Sequence, residues 1–81
     1  MKTVDQYLAD AHSHISTSDF DRAEAAFQSA LADAESRYGA LSGEVGLVLL
    51  PMTKYYESRK KFERCFSIDR RIKNIIEFYQ L

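Results

Sequence analysis

The chain has 81 residues, of which 46% are hydrophobic and 28% charged, with three glycines and one proline. This composition excludes a disordered chain and disfavours an all-β fold, so we expect one small helical domain whose core gives only limited stability unless a partner adds to it. The formal net charge of −1 is uneven, because residues 1–41 hold three basic and seven acidic side chains whereas residues 42–81 hold eight and five. Such an asymmetry can attract a charged partner or a second copy head to tail, although two ordinary solvated faces are the simpler interpretation.

The single cysteine, Cys65, has no partner for an internal disulfide, which favours a reducing compartment. Asp5 and Asp10 lie where a signal peptide would need apolar residues. No segment approaches the ~20 consecutive apolar residues of a membrane-spanning helix. We therefore expect a soluble cytoplasmic protein with no membrane contact.

Apolar residues recur at spacings of three and four along the first half, which predicts two helices. The first covers about residues 3–16 and the second about residues 20–38. Between them, Ser18 or Asp19 is expected to cap the second helix with its side chain. Gly39 is the expected end of that helix, and the Ser-Gly pair that follows opens the next element.

The second half predicts helices over about residues 43–56 and 61–79. Pro51 removes one amide from the ladder of the third helix, so we expect a kink there or a later start. The junction after it carries no glycine, proline or cap stronger than Ser58. An alternative is therefore one long helix that exchanges its last part with a second copy in a domain-swapped dimer.

The two halves match at one motif, because residues 20–23 read FDRA and residues 62–65 read FERC, 42 positions apart. A fixed period of this kind indicates a repeat architecture. The segment DFDRAEAAFQSALADAE places Ala23, Phe27 and Ala30 at small, aromatic and small positions, and it resembles the second helix of a tetratricopeptide repeat. The 42-residue period is similar to that of the kinesin-light-chain-like subgroup of this family.

The resemblance implies an all-α fold in which two helix-turn-helix repeats form four antiparallel helices of a right-handed solenoid fragment. The repeats would cover about residues 3–39 and 43–80 of a single domain, 1–81. The second repeat fits less well, because Asp69 takes an aromatic position and Pro51 lies within a helix. An unrelated four-helix bundle or pair of helical hairpins is the alternative, since alanine-rich amphipathic helices arise easily.

In that family, the first helix of each repeat lines a concave groove that binds peptides. Transferred to this chain, the resemblance implies a groove lined by Leu8, His12, Ile15, Leu47, Leu50 and Lys54, with Asp5 and Glu57 on the same faces. Family members that bind a C-terminal carboxylate carry Lys, Asn and Arg where this chain has Leu8, Ala9 and His12. The implied partner is therefore a helix or extended segment with apolar anchors, held by a scaffold or adaptor. Equally, these leucines can pack against a second copy.

No side-chain cluster predicts catalysis, a cofactor or a metal. Asp10 and His14 are one helical turn apart, but His12 points away from them, and two ligands do not make a metal site. We expect a packed His14 and a surface His12. Cys65 occupies a helix-packing position, which predicts a buried, inert thiol. We therefore expect that the protein is not an enzyme.

The fourth helix and the turn before it are rich in basic residues, namely Arg59, Lys60, Lys61, Arg64, Arg70, Arg71 and Lys73. A nucleic-acid-associated regulator that uses this helix is the alternative function. However, Glu57, Glu63 and Asp69 lie at i,i+4-type spacings that favour a salt-bridged solvated surface.

The fourth helix also carries apolar residues beyond those that its own repeat needs. These are Ile68, Ile75, Phe78 and Tyr79. Repeat proteins usually need about three repeats and a polar cap, and this chain shows two repeats and no cap. We expect these side chains to support a homodimer, or docking onto a partner that supplies a missing helix.

Overall fold

The structure, a computed structural model, describes residues 2–80 and contains four α-helices over that range. They are α1 (Val4–Ser16), α2 (Phe20–Tyr38), α3 (Gly43–Ser58) and α4 (Phe62–Tyr79). The predicted all-α class is thereby confirmed. None of the four helices is both long enough and apolar enough to cross a membrane.

The helices pack in chain order, α1 on α2, α2 on α3 and α3 on α4. Within the described residues, α1 forms no extended packing with α4, as it would in a closed four-helix bundle. The result is a flat molecule with extents of 42 × 32 × 13 Å. It consists of two helical hairpins placed side by side.

Small residues on α1 and α2 explain how closely these two helices pack. Ala11, Ala23, Ala30 and Ala34 have no exposed surface, and small buried side chains of this kind let neighbouring helix backbones approach closely. Phe27, also fully buried, fills the space at the same face. The alanine positions read from the sequence are therefore core positions.

Helix α3 runs unbroken through Pro51 from Gly43 to Ser58, so the prediction of a later start is wrong. Proline removes the amide that would bond the carbonyl of the residue four positions earlier. That residue is Leu47, which is 65% exposed and thus lies on the solvent-facing side of α3. A helix tolerates the loss there because water can replace the missing donor.

The two hairpin turns have the same backbone geometry, 42 residues apart. Ser18 and Lys60 both adopt φ 59°. The amide of Ser18 bonds the Ile15 carbonyl at 3.0 Å, and the amide of Lys60 bonds the carbonyl of residue 57 at 2.9 Å. The next amides, of Asp19 and Lys61, reach back five residues at 2.8 and 2.9 Å. This is the Schellman arrangement, here with a non-glycine residue in the left-handed position.

These turns correct two sequence predictions. The Ser18 and Asp19 side chains do not cap α2, because Ser18 is the left-handed residue of the turn and Asp19 makes no side-chain cap bond. Nor do α3 and α4 form one continuous helix, since Lys60 reverses the chain between them. Other caps were read correctly, because Gly39 has φ 92° at the end of α2 and the buried Ser42 hydroxyl accepts from the Val45 amide at 3.2 Å.

Glycine at either turn should stabilise the fold, because only glycine adopts a left-handed conformation without a steric cost. We expect Lys60→Gly and Ser18→Gly each to raise the free energy of unfolding by up to about 1 kcal/mol, since a more flexible unfolded chain offsets part of the gain. Lys60→Val should lower it, because β-branched residues are strained there. Urea denaturation at one protein concentration measures the free energies of unfolding of the variants and of the wild type. A loss of stability in both glycine variants would contradict the Schellman geometry.

Candidate functional site

An aromatic cluster at the centre of the molecule holds the two hairpins in position. The Tyr55 ring lies 5.6 Å from Phe27, 6.2 Å from Phe20 and 5.2 Å from Tyr56, between ring centroids. His12 of α1 meets the edge of Phe27 at 6.4 Å. Rings in these tilted and edge contacts join α1, α2 and α3, and they fix the surface on which the predicted groove lies.

The hydroxyl of Tyr55 is buried and has no hydrogen-bond partner among residues 2–80. Burial raises the pKa of this phenol above its ordinary value, and the Glu24 carboxylate acts in the same direction, while the nearby Arg59 guanidinium opposes both. The neutral form is therefore the stable one in the fold.

The predicted groove residues lie on the outer faces of α1 and α3. Leu8 and Ile15 are half-buried against the core. The exposed members of the set are His12, Leu47, Leu50 and Lys54. Of these six residues, Leu8 and Leu47 line one pocket, together with Asp5 of the same predicted face, while the others lie farther along the two helices.

This α1–α3 pocket, of about 420 Å³, lies between the start of α1, the end of α2 and the start of α3. Its apolar part is formed by Val4, Leu8, Leu47 and Tyr38. Leu47 and Tyr38 are 65% and 54% exposed, which leaves apolar surface open at its mouth. Exposed apolar surface inside a concave pocket is typical of a docking position.

The rim of the α1–α3 pocket is acidic. It carries the carboxylates of Asp5, Asp33 and Glu44 and the single guanidinium of Arg37. Arg37 donates to Asp33 at 3.0 Å. Within the described residues, Asp5 and Glu44 form no ion pair, so the local field is negative.

The sequence interpretation missed the residues that the end of α2 contributes to this pocket. Asp33, Arg37 and Tyr38 lie on the second helix of their hairpin, whereas the family resemblance points only to first helices. Their polar and aromatic side chains near the C-terminal end of an otherwise alanine-rich helix are the sequence signal for them.

The basic residues of the second half are paired differently from the prediction. Lys61 and Arg64 reach Glu24 of α2 at 3.8 and 3.7 Å, and Arg71 reaches Glu35 of α2 at 3.3 Å. Within α4 of the described chain, the one ion pair joins Lys73 to residue 77 at 3.9 Å. Glu57, Glu63 and Asp69 therefore do not supply the expected pairs.

Arg59 and, in addition to its ion pair, Arg64 lie on aromatic rings. The guanidinium of Arg59 lies 3.9 Å from the centroid of Phe20, and that of Arg64 lies 5.2 Å from the centroid of Tyr56, whose hydroxyl it also bonds at 3.2 Å. Three basic side chains of the second half thus pair with two carboxylates of the first half inside one chain. Much of the predicted phosphate-binding surface is already occupied by these contacts.

The cysteine, the two histidines and Asp10 were the other side chains considered for catalysis or metal binding. Cys65 is buried, as predicted, with its thiol 3.5 Å from the Thr53 carbonyl. His14 is half-buried and His12 exposed, and Asp10 pairs with Lys2 at 2.6 Å. No group of three metal-ligating side chains occurs in residues 2–80.

Two of the four residues proposed for self-association are core residues. Ile68 and Ile75 are only 8% and 6% exposed because they pack into the hydrophobic core, so the expectation that they form a surplus exposed surface is wrong. Phe78 and Tyr79 are exposed as expected, at 52% and 62%. The sequence interpretation missed Phe62, Phe66 and Ile76, which also lie exposed on α4. Their spacing of four and ten residues was the available signal.

The fold and these surfaces define a class, an all-α protein of two helical hairpins with an open apolar pocket and an unpaired apolar helix face. In comparisons with known proteins, no family model, no curated protein and no solved structure matches the chain.

Proposed function

We propose that the protein is a helical-repeat interaction module, of the tetratricopeptide type, whose α1–α3 pocket binds a segment of another protein. The observation that carries the proposal is the open apolar pocket around Leu8 and Leu47 with its acidic rim. It combines an anchor position with a fixed charge preference, and both lie on rigid helices.

The chemistry of the pocket specifies its partner. A pocket that small accepts one or two apolar side chains, and its free carboxylates at Asp5 and Glu44 favour lysine or arginine beside them. The partner is therefore a helix or extended peptide with an apolar anchor next to basic residues. Leu50 and Lys54, farther along the same face of α3, would contact the rest of a longer ligand.

Binding rather than catalysis is the proposed activity, and α4 provides a second docking surface for self-association. The cytoplasmic location expected from the single cysteine stays a prediction. The nucleic-acid alternative has less support, because Lys61, Arg64 and Arg71 already pair with carboxylates of α2.

Peptide display gives a direct test of the pocket. A random peptide library selected on the wild-type protein should enrich sequences with an apolar residue flanked by Lys or Arg, and their affinity should fall as salt rises. Leu47→Ser should weaken the selected peptides by roughly tenfold or more, because it removes a buried leucine contact. Leu41→Ser is the matched control, since Leu41 is 43% exposed but does not line the pocket.

Charge reversal at the rim gives an independent outcome. Glu44→Lys should reduce binding of the basic peptides while the helical circular dichroism stays unchanged. Selection of peptides whose binding is insensitive to Leu47→Ser and to Glu44→Lys would refute the proposed pocket.

A further inference from the structure

A stripe of exposed side chains runs along one face of α4. Its members, spaced by four and three residues, are Phe62, Phe66, Asp69, Lys73 and Ile76. Such spacing places residues on one face of a helix. The three apolar members are 54%, 73% and 51% exposed. The α4 stripe is thus an apolar surface with one acid and one base at its centre.

The equivalent positions on α2, one repeat earlier, indicate that this face of α4 is a packing surface. The residues 42 positions earlier on α2 are Phe20, Glu24, Phe27, Leu31 and Ala34, and all of them are buried or half-buried. Helix α3 contributes to their cover, since its Tyr55 contacts both phenylalanine rings of that set. The α4 stripe therefore corresponds to a face that, in the first hairpin, packs against a following helix.

Helix α1 of a second copy, stacked head to tail, cannot pack on the α4 stripe as α3 packs on α2. Val45, Val48 and Tyr55 of α3 are buried, and Tyr55 packs against the phenylalanines of α2 at this junction. Their counterparts in the first hairpin, 42 positions earlier, are the N-cap residue Thr3 and, on α1, Gln6 and Ser13, which are polar and exposed. Helix α1 thus lacks the apolar residues that the stripe would need from a stacked neighbour.

The stripe is complementary to itself when it is inverted. If two α4 helices pack antiparallel about a two-fold axis near residue 71, Phe66 of each copy faces Ile76 of the other. The same register places Asp69 of each copy opposite Lys73 of the other. In the single chain, Lys73 is 76% exposed and its contact with residue 77 is long, at 3.9 Å, so the ammonium is free to turn toward a second carboxylate.

We propose that the protein forms a symmetric homodimer through antiparallel packing of α4 on α4, with Phe66 against Ile76 and Asp69 against Lys73 at the two-fold axis. The inference rests on the self-association part of the proposed function and names its partner and register. It is independent of peptide binding, because the α4 stripe and the α1–α3 pocket share no residue.

Charge variants test the register. Asp69→Lys makes the centre of the stripe doubly basic and Lys73→Asp makes it doubly acidic, so each variant alone opposes like charges twice across the axis. In sedimentation equilibrium at micromolar to high micromolar concentrations, we expect a dimeric wild type and at least a tenfold rise in the dimer dissociation constant for each variant. An equimolar mixture of the two variants should form a heterodimer, because acidic and basic centres then face each other.

The double variant D69K/K73D controls for effects within one chain. Asp69 accepts a hydrogen bond from the Thr53 hydroxyl at 3.2 Å, which both D69K and the double variant lose. Recovery of the dimer in the double variant therefore reports on the contact between copies. Phe66→Ser should also dissociate the dimer while its circular dichroism stays helical, since Phe66 is 73% exposed in the single chain.

Three results would overturn the proposal. They are a monomeric wild type at high micromolar concentration, a dimer unaffected by the charge variants, and folded variants that neither form a heterodimer nor recover in the double variant. The peptides selected on the α1–α3 pocket should bind all these variants equally. Failure of the dimer and failure of the pocket are thus read separately.

Discussion

Phe27→Ala should destabilise the protein by about 3–5 kcal/mol, the largest effect that we expect from a single truncation. The Phe27 side chain is fully buried and contacts the Tyr55 ring of α3 and the His12 ring of α1, so its loss leaves a cavity where the hairpins meet. Domains of this length have unfolding free energies of roughly 4–12 kcal/mol. The loss is therefore a large fraction of the stability expected for this chain.

Urea denaturation followed by circular dichroism measures this effect, at a fixed protein concentration because self-association adds to apparent stability. Phe78→Ala is the matched control, since Phe78 is 52% exposed and lies outside the α4 stripe. It should change the free energy of unfolding by less than about 1 kcal/mol. Similar losses in the two variants would show that the aromatic cluster does not join the hairpins.

Ala30→Leu should cost about 1–3 kcal/mol, and more if the backbones cannot separate, although leucine and alanine favour helices almost equally. Ala30 has no exposed surface, so three added carbons must push apart the helices that pack on this face of α2. Ala32→Leu is the control within the same helix, because Ala32 is exposed. A near-zero change at both positions would contradict the close approach of the helices.

The midpoint of urea denaturation should fall for Ala30→Leu with an unchanged slope, which indicates lower stability rather than a different unfolded state. Peptide binding to the α1–α3 pocket should persist in the folded fraction, because Ala30 does not line it.

The helices and the first hairpin could be predicted from the sequence because their signals are local. Apolar spacing located all four helices, Gly39 ended α2, and the alanines of α2 identified its core face. The 42-residue period, read from one four-residue motif, reappears in the backbone, where Ser18 and Lys60 share a φ of 59°. The 42-residue period therefore relates two left-handed turns that the residue types serine and lysine would not predict.

The second hairpin could not be read in this way. Lysine at position 60 carries no turn signal, and the chain reverses there because the packing of α4 on α3 outweighs the steric cost of one left-handed residue. Ile68 and Ile75 looked surplus on α4 but are buried, since the number of apolar residues that one helix face requires depends on the neighbouring helix.

Of the candidate site, the sequence determined the apolar character of α1 and α3, and Leu8 and Leu47 do meet in one pocket. Asp5 was expected on that face, whereas only the tertiary structure added Glu44 and, from the end of α2, Asp33 to the acidic rim. It also paired Glu24 and Glu35 with basic residues of α4. Spacing along one helix reports neighbours within that helix, whereas contacts between helices depend on how the helices cross. The sequence thus determined the helices and their apolar faces, and the packing of the hairpins decided which of those faces stayed exposed for a partner.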